Sequence, residues 1–321
     1  MNRQIFRSFV FMVLVFLVSG GPGSECAAGE QDKGNTRVAT VAGRFYPGSP
    51  KQLRRTVATF LDGVPEIKPS GEVLAAIAPH AGYVYSGGVA AYTYKSLSTV
   101  DFDTLVIIGH DTYQNAVAFT CPVDYFQTPL GKVPVDRAMM AKMHDFDRGI
   151  KPHPSLHAND HTVEVQLPFL QVVGRQCKII PILFGNPTVR NARILSDAIL
   201  HAAGNKTVFV LASSDLSHYP PYKSARKIDG ATLEILTSLD VTKIFTHLER
   251  QERETSVPDL RTTMCAKGGV GTAILFAEAH GADHVRVLHY TNSGDVPAGD
   301  KRRVVGYGSV LMMKRTADAS K

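Results

Sequence analysis

Three apolar runs that are typical of buried strands each end in side chains that can bind a metal or transfer a proton. The first run leads into His80, the second into His110, and the third into Asp215 and His218. Ligands of open α/β sheets bind outside the carboxyl ends of the strands. We therefore predict that these segments meet at one edge of a sheet and form a metal or catalytic site.

The neighbours of the two strand-end histidines favour a rigid site. His80 follows Pro79, which keeps its predecessor extended, and Gly82 soon afterwards permits a sharp turn. Asp111, directly after His110, can orient the imidazole or act as a carboxylate ligand.

The third strand end offers an acidic and a basic group at short spacing. Asp215 and His218 are three residues apart, which suits an acid/base pair or a ligand with its supporting partner. We predict that His218 transfers protons and that Asp215 orients it. The alternative is a capping aspartate beside a surface histidine.

A fourth histidine-rich segment precedes a predicted helix over residues 161–173. Its spacing is neither that of a zinc finger nor that of the H-E-x-x-H motif. His161 and Glu164 are one helical turn apart, so both can face the cleft, and we predict that His161 supports the site. Asp160 is a candidate N-cap of this helix.

Cys265 directly precedes a glycine-rich helix start. A helix N-terminus favours the thiolate, which ligates metals and attacks electrophiles. The glycine-rich stretch lacks the Lys-Ser/Thr pair of a P-loop, so we do not predict nucleotide binding. Cys121 and Cys177 lie in apolar, strand-like sequence and are predicted to be buried spectators.

These residues must be positioned by an α/β architecture. Strand-like and helix-like segments alternate along the chain, and 44% of the residues are apolar, which suits a globular core. We predict a single domain over residues 38–315, with a mixed central sheet flanked by helices. Residues 116–119 and 125–128 read as two short strands that can form a hairpin.

The amino terminus has the pattern of a targeting signal. Two arginines precede an apolar stretch from Phe9 to Val18, and small residues follow. A membrane span needs about 20 apolar residues, more than this stretch has. We predict a signal peptide over 1–28, a disordered linker over 29–37, export to the periplasm and no membrane span in the mature protein. The alternatives are an uncleaved anchor and a mis-assigned start codon, and we expect a cytoplasmic protein if the signal is not used.

The charge pattern does not favour a nucleic-acid partner. The net charge is +6, but the lysines and arginines are scattered, and the best local cluster is the short run 301–303. A nucleic-acid surface needs a basic face with interleaved aromatic residues. We expect the partner to be a small molecule or a peptide.

Several motifs in order resemble the MEMO family, protein B of the AmmeMemoRadiSam system. The resemblance covers residues 38–313 and rests on the following segments: Arg44-Phe45-Tyr46-Pro47, residues 79–87 (PHAGYVYSG), Ile108-Gly109-His110, residues 161–170 (HTVEVQLPFL), residues 213–219 (SSDLSHY) and Cys265. It implies the fold of class III extradiol dioxygenases. A pathway shared with a radical-SAM protein and an AMMECR1-like protein is also implied.

The resemblance also implies a mononuclear iron or copper site, with zinc less favoured. His80 and Cys265 match the family's ligands, and Asp215 and His218 match residues near the metal. The family usually has its second histidine three residues after the glycine, whereas His110 directly follows Gly109. Either His110 takes this role from a shifted position, or the second ligand is lost or replaced.

The expected function follows from these ligands. Two imidazoles and a thiolate suit iron, copper or zinc, and three protein ligands leave positions open for substrate. Our leading hypothesis is a redox-active metal protein, an oxidoreductase with O2 or a reactive oxygen species as substrate. Ring cleavage does not follow from these ligands, because a thiolate in place of a carboxylate changes the redox tuning of the metal. The alternatives are a peptide-binding or small-molecule-binding protein with a vestigial metal site and a zinc-dependent hydrolase.

Overall fold

The structure is a computed structural model that describes residues 34–67, 70–254, 256–297 and 299–315. The predicted signal peptide over 1–28 and most of the predicted linker lie outside these residues. In the described part, no helix combines the length and the apolar character that crossing a bilayer requires.

Strands and helices alternate through most of the described chain. The strands are β1 (Thr36–Arg37), β2 (Gly71–Ala78), β3 (Thr104–Asp111), β4 (Ala118–Thr120), β5 (Tyr125–Thr128), β6 (Gly131–Pro134), β7 (Ile150–Pro152), β8 (Lys178–Phe184), β9 (Val208–Ser213), β10 (His284–Asn292) and β11 (Gly306–Arg315). The α-helices are α1 (Pro50–Asp62), α2 (Tyr83–Leu97), α3 (Arg137–Phe146), α4 (Pro154–Ala158), α5 (Leu167–Val172), α6 (Val189–Ala203), α7 (Tyr222–Leu236), α8 (Val241–Glu254) and α9 (Lys267–Ala279). Short 3₁₀ helices cover Glu164–Gln166 and Ser293–Asp295.

A mixed eight-stranded sheet, flanked by helices, forms the centre of the fold. Its strand order is β10-β11-β2-β9-β3-β8-β4-β7, and a small separate sheet has the order β1-β5-β6. The four central strands β2, β9, β3 and β8 are parallel. The predicted α/β domain with a mixed sheet is therefore confirmed. The carboxyl ends of β2, β9 and β3 lie side by side, which brings the three predicted site segments together.

Buried side chains explain why the parallel strands occupy the centre. The last six residues of β2, the last five of β9 and the first six of β3 are buried, as expected for strands covered on both faces. Helix α9 packs close to this sheet because its first turn is rich in glycine. A Cβ atom on Gly269 would lie 2.9 Å from Ile108 Cγ2, and one on Gly268 would clash with the Cδ1 atom of the Phe184 ring. These glycines thus permit close helix–sheet packing.

Three local predictions differ from the structure. The helix over 161–173 is divided into a 3₁₀ turn and α5, because Pro168 has no N–H to continue the helical hydrogen bonds. The strand β5 pairs with β6 instead of forming a hairpin with β4. The linker predicted to end at residue 37 includes β1, which pairs with β5, and the buried Arg37.

Candidate functional site

A cavity of about 490 Å³ opens at the carboxyl ends of β2, β9 and β3. All six residues that the sequence predicts for the site line it. The complete lining is His80, His110, Asp111, Tyr113, His161, Thr162, Asp215, His218, Arg261, Thr262 and Cys265. The cavity therefore combines four imidazoles, one thiol and two carboxyl groups.

His80 lies just beyond the end of β2, with its ring fixed in one orientation. Its backbone N–H donates to Asp215 Oδ1 at 2.8 Å, and its Nδ1 is 2.9 Å from the carbonyl oxygen of Ser213. A carbonyl oxygen can only accept, so Nδ1 carries the hydrogen and Nε2 keeps its lone pair. Burial lowers the pKa of His80 to about 4, so the ring is neutral near pH 7.

Cys265 places its sulfur beside that free nitrogen. The Sγ atom is 3.2 Å from His80 Nε2 and accepts the backbone N–H of Asp215 at 3.3 Å. Burial, together with the negative charge of Asp215, raises the pKa of the thiol well above its usual range. The sequence-based expectation of a lowered pKa is therefore not met, because desolvation outweighs the helix N-terminus.

His110 lies beside an acidic residue that the sequence did not assign to it, although its Nδ1 forms no hydrogen bond among the described residues. Its Nδ1 lies 3.4 Å from Asp160 Oδ1, which leaves Nε2 on the other side of the ring. Asp111, which the sequence predicts to orient His110 or to act as a ligand, instead accepts the backbone N–H of Gly268 at 3.1 Å and so holds the start of α9. Burial acts to raise the pKa of Asp160, but that pKa is nevertheless far below its usual value. His110 is among the groups that lower it by favouring the carboxylate.

Asp215 and His218 both face the cavity, but they differ in their partners. Asp215 is buried, and its Oδ2 lies 3.9 Å from His80 Nε2, so the observed bonds of this carboxyl group orient His80. Burial raises the pKa of Asp215. The Nε2 atom of His218 is buried and has no hydrogen-bond partner among the described residues. Because His218 lines the cavity, this unpartnered nitrogen is available to a ligand that reaches it.

His161 lies against His80, whereas Glu164 points elsewhere. The ring of His161 is edge-on to that of His80 at 5.5 Å and packs against Phe45 at 4.6 Å. Burial lowers its pKa to about 4. Glu164 forms a buried ion pair with Arg37 and accepts the backbone N–H of Val41 at 3.0 Å. The expectation that Glu164 faces the cleft is therefore wrong, because the broken helix turns this side chain toward Arg37.

Sequence analysis missed two kinds of residue at the site. The buried amide of Gln166 donates to the carbonyl of Pro79 and to Ser213 Oγ, so it ties the ends of β2 and β9 together. Tyr113 lines the cavity and Tyr219 directly follows His218, and both have a left-handed backbone, with φ of 57° and 71°. This conformation is strained for a bulky residue, and such strain concentrates at functional sites.

The donor set fits a metal only in part. Nitrogen and sulfur bonds of about 2.1 and 2.3 Å to one ion place the two ligand atoms roughly 3 to 4 Å apart. His80 Nε2 and Cys265 Sγ have this spacing, at 3.2 Å. Within the ranges that the structure describes, however, no group of three or more histidine, cysteine, aspartate or glutamate side chains is arranged to hold an ion. A third ligand would have to move toward this pair.

A buried carboxyl group behind the His218 loop gives the first prediction. Asp229 accepts the backbone N–H of Ser217 at 2.9 Å and the hydroxyl of Tyr290 at 2.7 Å, and burial raises its pKa to about 6. A raised pKa in the folded state adds stability at low pH that is lost as the pH rises from about 4 to about 6, here about 3 kcal/mol. Asp229→Asn avoids this loss. In urea unfolding, we expect the free energy of unfolding of the variant, relative to that of the native protein, to rise by about 3 kcal/mol between pH 4 and pH 7. A difference that does not change with pH would contradict the assignment.

Comparison with known proteins gives consistent matches over nearly the whole described chain. The model of a family described as "Memo-like protein" matches residues 37–311. A MEMO1 family protein of Methanopyrus kandleri is 34% identical over 295 residues, which covers 87% of this chain and 99% of that protein. A MEMO1 family protein of Methanococcoides burtonii is 36% identical, over 86% of this chain and 99% of its own length. A MEMO1 family protein of Nitrosopumilus maritimus is 31% identical, over 85% of this chain and 98% of its own length.

Proposed function

Because the chain belongs to the Memo-like protein family, we propose that it binds one iron or copper ion through His80, His110 and Cys265 and acts as an oxidoreductase. One observation carries this proposal. The Nε2 lone pair of His80 and the sulfur of Cys265 lie 3.2 Å apart, and a backbone carbonyl fixes the tautomer that makes the nitrogen available. Metal-binding histidines commonly have their second ring nitrogen held in this way.

His110 is the best third ligand because it lines the same cavity and has a carboxylate beside its second ring nitrogen. Its Nδ1 faces the carboxylate of Asp160 at 3.4 Å, which leaves Nε2 as the ligating atom. Carboxylate–histidine–metal arrangements of this kind orient the ring and raise its basicity. The side chain of His110 is 40% exposed, so it has room to turn toward His80 and Cys265.

Each remaining residue of the cavity has a role in this proposal. A bound iron or copper ion would supply one-electron redox chemistry, and a thiolate ligand would tune its potential. The unpartnered Nε2 of His218 holds or accepts a proton from the substrate, since the buried ring is neutral near pH 7. Asp215 holds the His80 backbone, and His161 packs against the His80 ring, so both keep the ligand in place.

The proposal predicts a specific metal content. Elemental analysis of protein purified without chelators or added metals should find iron or copper near one equivalent per chain. Cys265→Ser exchanges a soft thiolate for a weak neutral oxygen ligand, so we expect about tenfold less bound metal and the loss of any sulfur-to-metal absorption band. Cys177→Ser is the matched control, because this half-buried cysteine lies directly before β8, away from the site.

The outcomes separate the candidate functions. Iron or copper that is lost with Cys265 but retained with Cys177→Ser supports the redox proposal. Zinc alone would instead favour a hydrolase that uses a metal-activated water. If the protein contained no metal and none could be added, the cavity would be better explained as a peptide-binding or small-molecule-binding site.

A further inference from the structure

A second and larger cavity, of about 710 Å³, lies at the opposite edge of the sheet. Thr104 and Lys178, the first residues of β3 and β8, both line it. His110 is six residues further along β3, which corresponds to about 20 Å at the rise of a strand. The second cavity is therefore distinct from the histidine–cysteine site, and the proposed function does not involve it.

Basic side chains outnumber acidic ones in the lining of this cavity. The five basic residues are Arg54, Lys132, Arg175, Lys178 and Lys206, and the two acidic residues are Asp103 and Asp136. The excess of positive charge favours an anionic occupant. None of the described residues that line the cavity is aromatic, so it lacks the stacking surfaces of a nucleic-acid site.

The two carboxyl groups are already engaged within the protein. Asp136 accepts hydrogen bonds from the Thr104 hydroxyl and the Met139 backbone and forms an ion pair with Lys206. Asp103 accepts the backbone N–H of Thr207 at 2.8 Å. These internal bonds leave the carboxylates poorly placed to neutralise the other basic side chains of the cavity.

Two of the basic side chains have no internal counter-charge. Lys206 is paired with Asp136, and Arg175 is paired with Asp101 at 2.5 Å. By contrast, neither Arg54 nor Lys178 forms an ion pair within the ranges that the structure describes. Both are exposed at the cavity, so their charged groups are free to meet an anion there.

We propose that this cavity is a binding site for a compact organic polyanion whose phosphate or carboxylate groups are held by Arg54 and Lys178. Its volume lies within the range of about 300–1,000 Å³ typical of small-molecule sites, which favours a small ligand over a macromolecule. Leu130, Val133 and Leu170 supply an apolar part of the lining that suits a carbon skeleton. Charge-assisted hydrogen bonds from guanidinium and ammonium groups provide the affinity.

The proposal is tested with two probes, inorganic pyrophosphate and citrate, titrated calorimetrically into the whole protein at constant ionic strength. We expect saturable binding of at least one probe. The double variant R54Q/K178Q should weaken that binding about tenfold or more, because two charge-assisted contacts are lost. The control K227Q/R253Q removes the same charge from exposed positions outside the cavity and should change the dissociation constant by less than about twofold.

Each result has a clear meaning. Binding of pyrophosphate alone indicates a phosphate ester as ligand, binding of citrate alone a polycarboxylate, and both outcomes support the site. The proposal is overturned if neither probe saturates, or if the two double variants lose affinity equally, since the effect would then reflect net charge. Circular dichroism and the melting temperature of each variant establish that it is folded before it is titrated.

Discussion

Glu164→Gln is expected to lower the free energy of unfolding by about 3–5 kcal/mol. Both partners of the Arg37–Glu164 ion pair are buried, with side chains 5% and 0% exposed. The substitution leaves the guanidinium of Arg37 as an uncompensated charge inside the protein, which is far costlier than the loss of an exposed pair. Glu164 also accepts the backbone N–H groups of Thr40 and Val41, and the amide keeps only part of this acceptor capacity.

Urea unfolding at pH 7 measures this effect. The matched control is Arg137→Met, which breaks the ion pair between Arg137 and Asp124. The side chains of these two residues are 58% and 31% exposed, respectively. We expect a change of less than about 1 kcal/mol for the control. Equal effects of the two variants would show that the buried pair is not a major source of stability.

The position of this ion pair links stability to the site. Glu164 holds the backbone of Thr40 and Val41, a few residues before Phe45, and Phe45 packs against the ring of His161 in the cavity wall. Damage to the ion pair should therefore loosen the cavity wall as well as the fold.

His80→Ala is expected to reduce metal affinity by more than about a hundredfold. Residues that only support a ligand already account for about 10- to 100-fold in affinity, and this change removes a proposed ligand without a substitute. The backbone N–H that Asp215 accepts is retained in the variant, so the strand end should keep its position. Titration with Fe(II) under anaerobic conditions, and with Cu(II) separately, measures the loss.

His201→Ala serves as the matched control for this experiment. His201 is an exposed histidine in the last turn of α6, and its ring contacts the exposed ring of Phe146. Its removal should leave the metal affinity within about twofold of that of the native protein. Similar affinities for His80→Ala and the native protein would rule out His80 as a ligand.

The fold class and the family were accessible from the sequence because their signals are local. Apolar runs with the length and period of buried strands alternate with helical segments, which is sufficient for a parallel α/β core. Motifs such as Pro79-His80-Ala81-Gly82 combine a backbone constraint with a reactive side chain within a few residues. The family assignment built on them is confirmed by the matches to Memo-like proteins.

The sequence was sufficient to predict that the candidate residues lie at the same edge of the sheet, where the parallel strands end. The parallel order β2-β9-β3 places His80, His110 and His218 around one cavity, as expected from strands that run in the same direction. Which group orients each ring was not predictable. Asp160 faces His110, and Asp111, although next to His110 in sequence, binds the start of α9 instead.

By itself, the sequence determined most of the elements, the family and the set of chemically capable side chains, because these depend on residue type and short-range spacing. Tertiary structure alone decided the buried partner of Glu164, the upward shift in the pKa of Cys265 and the charged cavity at the far edge of the sheet. The first two depend on residues that are distant in sequence: Arg37 and Glu164 are 127 positions apart, and Asp215 and Cys265 are 50 apart. The lining of the charged cavity likewise comes from separate parts of the chain, from Arg54 to Lys206. Burial and the orientation of partners arise only when such segments pack together, and they set the energies of charges and hydrogen bonds.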